Sequence, residues 1–267
     1  MKTLKKKLLN SCIAATVIGL ASQSANALVI GYFDNSREDY GFSTGYLSGA
    51  TQWLVDAGHT LVSTNNADSA FLGSVDAFYT GLVGSVSAAE IGAMQNFVDV
   101  DGGFLFIQQD HDSGSWHTPS SEILANWGIG NSAGTFSNDS GHTTVGSSSW
   151  VTDPNVITGF YGAVHSSINT IPEGFEVIAE DNAGRAIMGV FDAGAGRSSD
   201  VFVATDIDFW SNGYGWNDSR NQKLWENIWT AASDQIEGGG VSVPEPSSIA
   251  LFGLGLMGLG LQRRRKA

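Results

Sequence analysis

The central part of this sequence predicts an α/β domain built on a mostly parallel sheet. Three observations carry the prediction. From residue 28 to residue 107, short apolar runs alternate with stretches of helical periodicity, which is the rhythm of βαβ units. Ser87 and Glu90 stand at capping-box spacing directly before the repeat Ile91, Met94, Val98. Residues 103–107 (Gly-Phe-Leu-Phe-Ile) are apolar after the glycine, as a strand covered on both faces must be.

Taken in order, residues 28–33 form the first expected strand, closed by Asp34. Tyr46, Ala50, Trp53, Leu54 and Ala57 then recur at helical spacing, with Ser43 as the expected cap and Gly58 as the stop. Strands are expected at 60–63 and 75–79, then the helix opened by Ser87 and ended near Asp101, then the strand at 103–107. From Asp110 to Gly162 the composition shifts to Gly, Ser, Asn, Thr and Trp. This predicts an insertion, with one short helix over 119–127. Runs at 176–179, 186–191 and 201–205 read as further strands, with antiparallel pairing expected, and 218–232 as a closing helix with Leu224, Ile228 and Trp229 inward. No internal repeat is evident.

The two ends have a different character. Lys2, Lys5, Lys6 and Lys7 precede an apolar stretch and then Ala25-Asn26-Ala27, the parts of a secretory signal peptide cleaved after Ala27. The one cysteine, Cys12, lies inside that segment, so a chain starting at Leu28 has no thiol. Residues 28–237 hold five basic residues against 26 acidic ones, a net charge of −21. That charge repels a phosphate backbone and argues against nucleic acid as a partner; cations, cationic surfaces and neutral glycans stay compatible. About 210 residues bury a sizeable core unaided, so one domain is expected there. Residues 238–243 form a Gly-rich linker.

At the C-terminus, Pro244, Glu245 and Pro246 are followed by an apolar run of 13 residues (249–261) and by Arg263, Arg264 and Arg265. About 20 residues make a comfortable span, so this is a short membrane helix with a basic, cytoplasmic end. The three parts in this order, over residues 244–267, resemble the PEP-CTERM sorting signal of Gram-negative bacteria. The resemblance implies export by the Sec machinery, a transient inner-membrane tether, and processing by an exosortase. It further implies release to the cell surface or the matrix and a link to exopolysaccharide and biofilm.

Two stretches of the domain carry a second resemblance. Residues 75–109 read as strand, Ser-x-x-Glu helix, Gly-Gly and apolar strand; residues 202–232 include Asp206-Ile-Asp208-Phe-Trp210-Ser-Asn212 before the closing helix. This layout resembles the glutamine-amidotransferase-like superfold, a flavodoxin-like α/β sandwich. Those enzymes keep a cysteine in the tight turn after the central strand. The matching turn here holds Gln108, Gln109 and Asp110, so amidotransferase chemistry is not expected. A Gly-x-Ser-x-Gly pattern at 130–134 does not supply a Ser132 nucleophile, because the preceding segment reads as a helix and not a strand.

Chemistry is then sought at the ends of strands, where open α/β sheets bind ligands. Asp110, His111, Trp116 and His117 follow the best strand and are candidates to bind a ligand, with Asp110, His111 and Asp208 as candidate acid, base or metal ligand. Trp210 and Trp216, set in Gly-rich polar segments, are candidate binding aromatics. Asp34, Asp206, Asp208 and Asn212 offer hard oxygen ligands suited to calcium, although turn-forming side chains explain the same pattern. The sequence thus leads to an exported, sorted protein that binds polysaccharide without turning it over. Its rival is an extracellular hydrolase of glycans or esters.

Overall fold

The computed structural model describes residues 27–111, 114–137, 143–162, 164–194 and 197–239. Most of the signal segment, with Ala25, and the whole tail, with Pro244 to Pro246 and Arg263 to Arg265, lie outside them. Among the described residues no helix is long and apolar enough to cross a membrane.

The first half is the expected alternation. β1 (Val29–Phe33), β3 (Thr60–Thr64), β4 (Ala77–Tyr79) and β6 (Phe104–Gln108) pair in parallel, in the order β3-β1-β4-β6. Between them lie α1 (Ser48–Asp56), a single turn α2 (Ser69–Leu72) and α3 (Ala88–Asp99). The α3 capping box is complete: Ser87 Oγ accepts from the Glu90 amide, and the Glu90 carboxylate accepts from the Ser87 amide. A small antiparallel pair, β2 (Glu38–Tyr40) with β5 (Leu82–Val83), sits apart from the main sheet.

The second half follows as α4 (His117–Ala125), β7 (Gly130–Ser137), β8 (Thr143–Thr144), α5 (Ser149–Thr152), β9 (Val164–Thr170), β10 (Phe175–Glu180), β11 (Ala186–Phe191), β12 (Val201–Ala204) and α6 (Ser219–Gly239). β12 returns to lie beside β6 in parallel, and β11, β10 and β8 extend the sheet antiparallel. Antiparallel pairing thus holds for β10 and β11, and for β12 on its β11 side, while the parallel pairing of β12 with β6 completes a block of five parallel strands. The Gly-Ser segment at 130–134 is part of β7, paired to β9, so Ser132 is not on a strand-to-helix elbow.

Helices cover both faces, and β6 shows how. Phe104 and Phe106 point to one core, with Leu47, Ala50 and Leu54 near or on α1 and with Leu224, Trp225, Ile228 and Trp229 on α6. Leu105 and Ile107 point to the other, with Met94, Phe97 and Val98 of α3 and with Ile123 and Leu124 of α4. Each such side chain contributes roughly 1.5–3 kcal/mol by leaving water, which is why an all-apolar strand is placed centrally.

The first helix begins later than Ser43. Ser43 donates from its amide (2.9 Å) and its hydroxyl (2.7 Å) to Glu38 Oε2, so it is unavailable as a cap. The helix starts at Ser48 and takes its cap from far along the chain: Asn212 Oδ1 accepts from the Gly49 amide at 2.8 Å.

At the N-terminal edge of the parallel strands, Asp76, Gly103, Ser198 and Ile236 contribute to the lining of a cavity of about 310 Å3. Ser199 Oγ donates to Gln235 Oε1 there at 3.2 Å. The last turns of α6 therefore end at the edge where the strands begin.

Candidate functional site

The opposite edge gathers the polar groups. β6 and β12 run side by side with Ala204 paired to Gln108, and the Gln109 amide donates to the Ala204 carbonyl at 2.9 Å. Asp110 and Asp206 each stand two residues beyond this last pair, so the register carries both carboxylates to one place. Asp110, His111 and Asp206 form a group in which one ligand atom from each lies within 4.8 Å of the others. His111 Nδ1 is 2.9 Å from Asp110 Oδ1.

Asp206 is the unusual member. It is 1% exposed; Oδ1 accepts from the Asp208 amide at 3.1 Å, while Oδ2 is buried without a hydrogen-bond partner. Burial holds its carboxyl well above the usual carboxylate range, and the charges of Asp208 and Asp110 push the same way against the amide hydrogen bonds. His117, at the start of α4, is 7% exposed and its Nδ1 lies 3.1 Å from the Asp110 carbonyl. A carbonyl only accepts, so Nδ1 carries the proton and fixes the backbone beneath Asp110.

Asp208 faces outward from the same turn and accepts from the Tyr46 hydroxyl at 2.5 Å. Tyr46 packs edge-on to Tyr40 (centroids 4.9 Å apart), and Tyr40 packs edge-on to Trp116 (5.1 Å). Trp116 Nε1 donates to Asp39 Oδ2 at 2.6 Å. These three half-buried rings make a ledge that runs from Asp39 to Asp208.

The remaining candidates go elsewhere. Asp34 accepts from the amide and hydroxyl of nearby Ser36, and those hydrogen bonds hold its carboxyl below the ordinary value; it is outside the group. Asn212 spends both ends of its amide on Gly49, Gly45 and Ser48, so it caps a helix and presents no free ligand atom. Trp210 is fully buried with Nε1 donating to Gln108 Oε1 at 3.1 Å, and it has no surface to offer a ligand. Trp216 is half-buried, with its ring edge-on to Trp225 and close over Gly49, where it wedges α1 against α6. Tyr40 and Tyr46 do not stand out in the sequence as site residues, and Asp39 does so only as one of the carboxylates after the first strand. Tyr46 has only its helical spacing to recommend it, and its partner lies 162 residues away.

Residues 242–266 match the PEP-CTERM protein-sorting motif. The chain carries an exosortase sorting signal. It is thus an exported protein, processed at the membrane, and the resemblance drawn from Pro244, Glu245 and Pro246 holds.

No curated protein matches the sequence significantly. Solved structures do match in fold. The mmIFT52 N-terminal domain aligns with a TM-score of 0.63 at 12% identity, over 77% of this chain and 97% of that one. Another, from Thermoplasma acidophilum and described as part of a GMP synthase, aligns with a TM-score of 0.51 at 11% identity, over 79% of this chain and 96% of that one. At such identities the likeness is one of fold, and it agrees with the amidotransferase-like sandwich. The turn that follows β6 here holds Gln109 and Asp110, with no thiol.

Proposed function

We propose that this exosortase-sorted protein works at the cell surface or in the extracellular matrix by binding a neutral exopolysaccharide in a Gram-negative biofilm. The observation that carries the reading is the ledge of Trp116, Tyr40 and Tyr46 ending on the Asp208 carboxylate. Aromatic faces cover the apolar faces of sugar rings, and carboxylates beside them accept from hydroxyls. A domain charge of −21 favours a neutral polymer over an anionic one. The sorting tail supplies the setting, since proteins with this signal are associated with exopolysaccharide.

Affinity electrophoresis of the full chain through gels containing exopolysaccharide from the source organism tests this. Wild type is expected to be retarded and Trp116→Ala to lose about tenfold in affinity, equivalent to ~1.4 kcal/mol. Free migration of the wild type would end the proposal.

A second reading rests on a different observation, the buried Asp206, whose carboxyl burial holds above the usual range, beside Asp110 and His111, which is an acid-base arrangement suited to hydrolysis of glycosides or esters. Turnover abolished by Asp206→Asn and His111→Ala would favour it. Retained binding with no turnover in any glycoside or ester favours the module.

A further inference from the structure

We infer that Asp110, His111 and Asp206 form a binding site for a first-row transition-metal dication of the zinc type, not for calcium. Such a site does not depend on glycan binding by the ledge.

The register of β6 against β12 delivers the two carboxylates, and His111, the next residue after Asp110, adds a nitrogen donor within 4.8 Å. Convergence of acidic groups alone would not point to an ion. The second observation is Asp206 itself: fully buried, one oxygen fixed by the Asp208 amide and the other without a partner. A buried carboxylate oxygen left unpaired costs free energy, and a bound ion is one way such a group is completed.

No arginine among the described residues is placed to do so. Arg37 pairs with Glu90, Arg185 with Asp181 and Arg220 with Asp218, while Arg197 lies over the Phe191 ring. These are four of the five basic residues in the domain.

The donor set selects the ion. Calcium takes six to eight oxygens, commonly including bidentate carboxylates and backbone carbonyls. Two carboxylates and one imidazole suit zinc and its neighbours, with one or more positions left for water or a ligand. The surroundings resemble the outer shell such sites need: His117 holds the Asp110 backbone, and Tyr46 holds Asp208 beside Asp206. Asn212 and Asp34, oxygen donors in the sequence, are committed elsewhere and drop out of the set.

The test is calorimetric titration of the full chain, purified in detergent and stripped with chelator, with zinc chloride and separately with calcium chloride. One zinc per chain is expected, competed by cobalt and not by calcium. Asp206→Asn and His111→Gln should each weaken zinc binding by at least about 100-fold, the upper range for loss of an outer-shell partner alone. Asn212→Ala should leave it unchanged. His111 is about one-third exposed, so His111→Gln stays folded even if Asp206→Asn does not. No zinc uptake by the wild type, uptake that both variants leave intact, or calcium preferred over zinc would each overturn the inference.

Discussion

The Tyr46 hydroxyl donates to Asp208 Oδ1 at 2.5 Å and so joins the loop before α1 to the turn after β12, across 162 residues of sequence. The bond anchors the inner end of the aromatic ledge. Tyr46→Phe removes it and keeps the ring. A stability loss of about 1–2 kcal/mol is expected in urea unfolding, with weaker polysaccharide retention. An unchanged midpoint would show that the contact contributes nothing.

Asn212 offers a contrast within the same segment. Its side chain caps α1 through Gly49 and bonds Gly45 and Ser48. Asn212→Ala is expected to cost about 1–2 kcal/mol, the usual range for a lost cap. Hydrogen exchange should quicken in residues 48–52 first. Slow exchange there in the variant would mean that α1 does not depend on this cap.

Glu38 predicts a pH dependence. It is 2% exposed, Oε1 has no partner, and close passage of Gly41 and Gly81 beside the carboxylate leaves no room for a larger residue. Burial pushes its pKa up to about 8, from an ordinary 4.5. The group is therefore neutral in the fold at pH values where it ionises in the unfolded chain. Its contribution is fully present below the ordinary value and is lost as pH rises toward the folded value. Stability should fall between pH 4.5 and 8, by on the order of 1 kcal/mol per pH unit, and Glu38→Gln should flatten that part of the profile. Parallel profiles for the two proteins would refute the assignment.

The start of β1 bears on maturation. Ala27 is exposed, whereas Leu28 is 4% exposed and its amide donates to His59 Nδ1 at 3.0 Å. Cleavage after Ala27 would turn that amide into an amino group in the same place. N-terminal sequencing of the exported protein is expected to begin at Leu28. His59→Ala should lower its stability by about 1 kcal/mol. A mature chain that begins several residues later would remove β1 and contradict both.

The sandwich was legible because its signals are local: the apolar run at 103–107, the Ser87–Glu90 box and the Ile91, Met94, Val98 repeat need no distant partner to be read. Asp110 and Asp206 were each recognisable as residues that follow strands. Parallel strand ends would bring them together, but which strands are neighbours was not legible, since that depends on β12 returning beside β6 after some 90 residues of intervening chain, and strand order has no local signature. Gly, Ser and Asn around Trp210 and Trp216 suggested exposure, but α6 covers Trp210, and composition does not reveal which helix will pack on a turn. The sequence shows Glu38 as a carboxylate soon after the first strand but not its burial, which is made by Ser43, Gly41 and Gly81 folding over a three-residue strand.

The two edges of the parallel block have opposite duties. Leu28 enters β1 at the edge where the strands begin, and α6 finishes beside Asp76 and Ser198 at that same edge. Asp110, Asp206 and the Trp116 ledge occupy the other. Both ends of the described domain thus leave from one pole, and the candidate site lies at the other. On the proposed reading, a leader or tail held at a membrane would leave that site facing away from it.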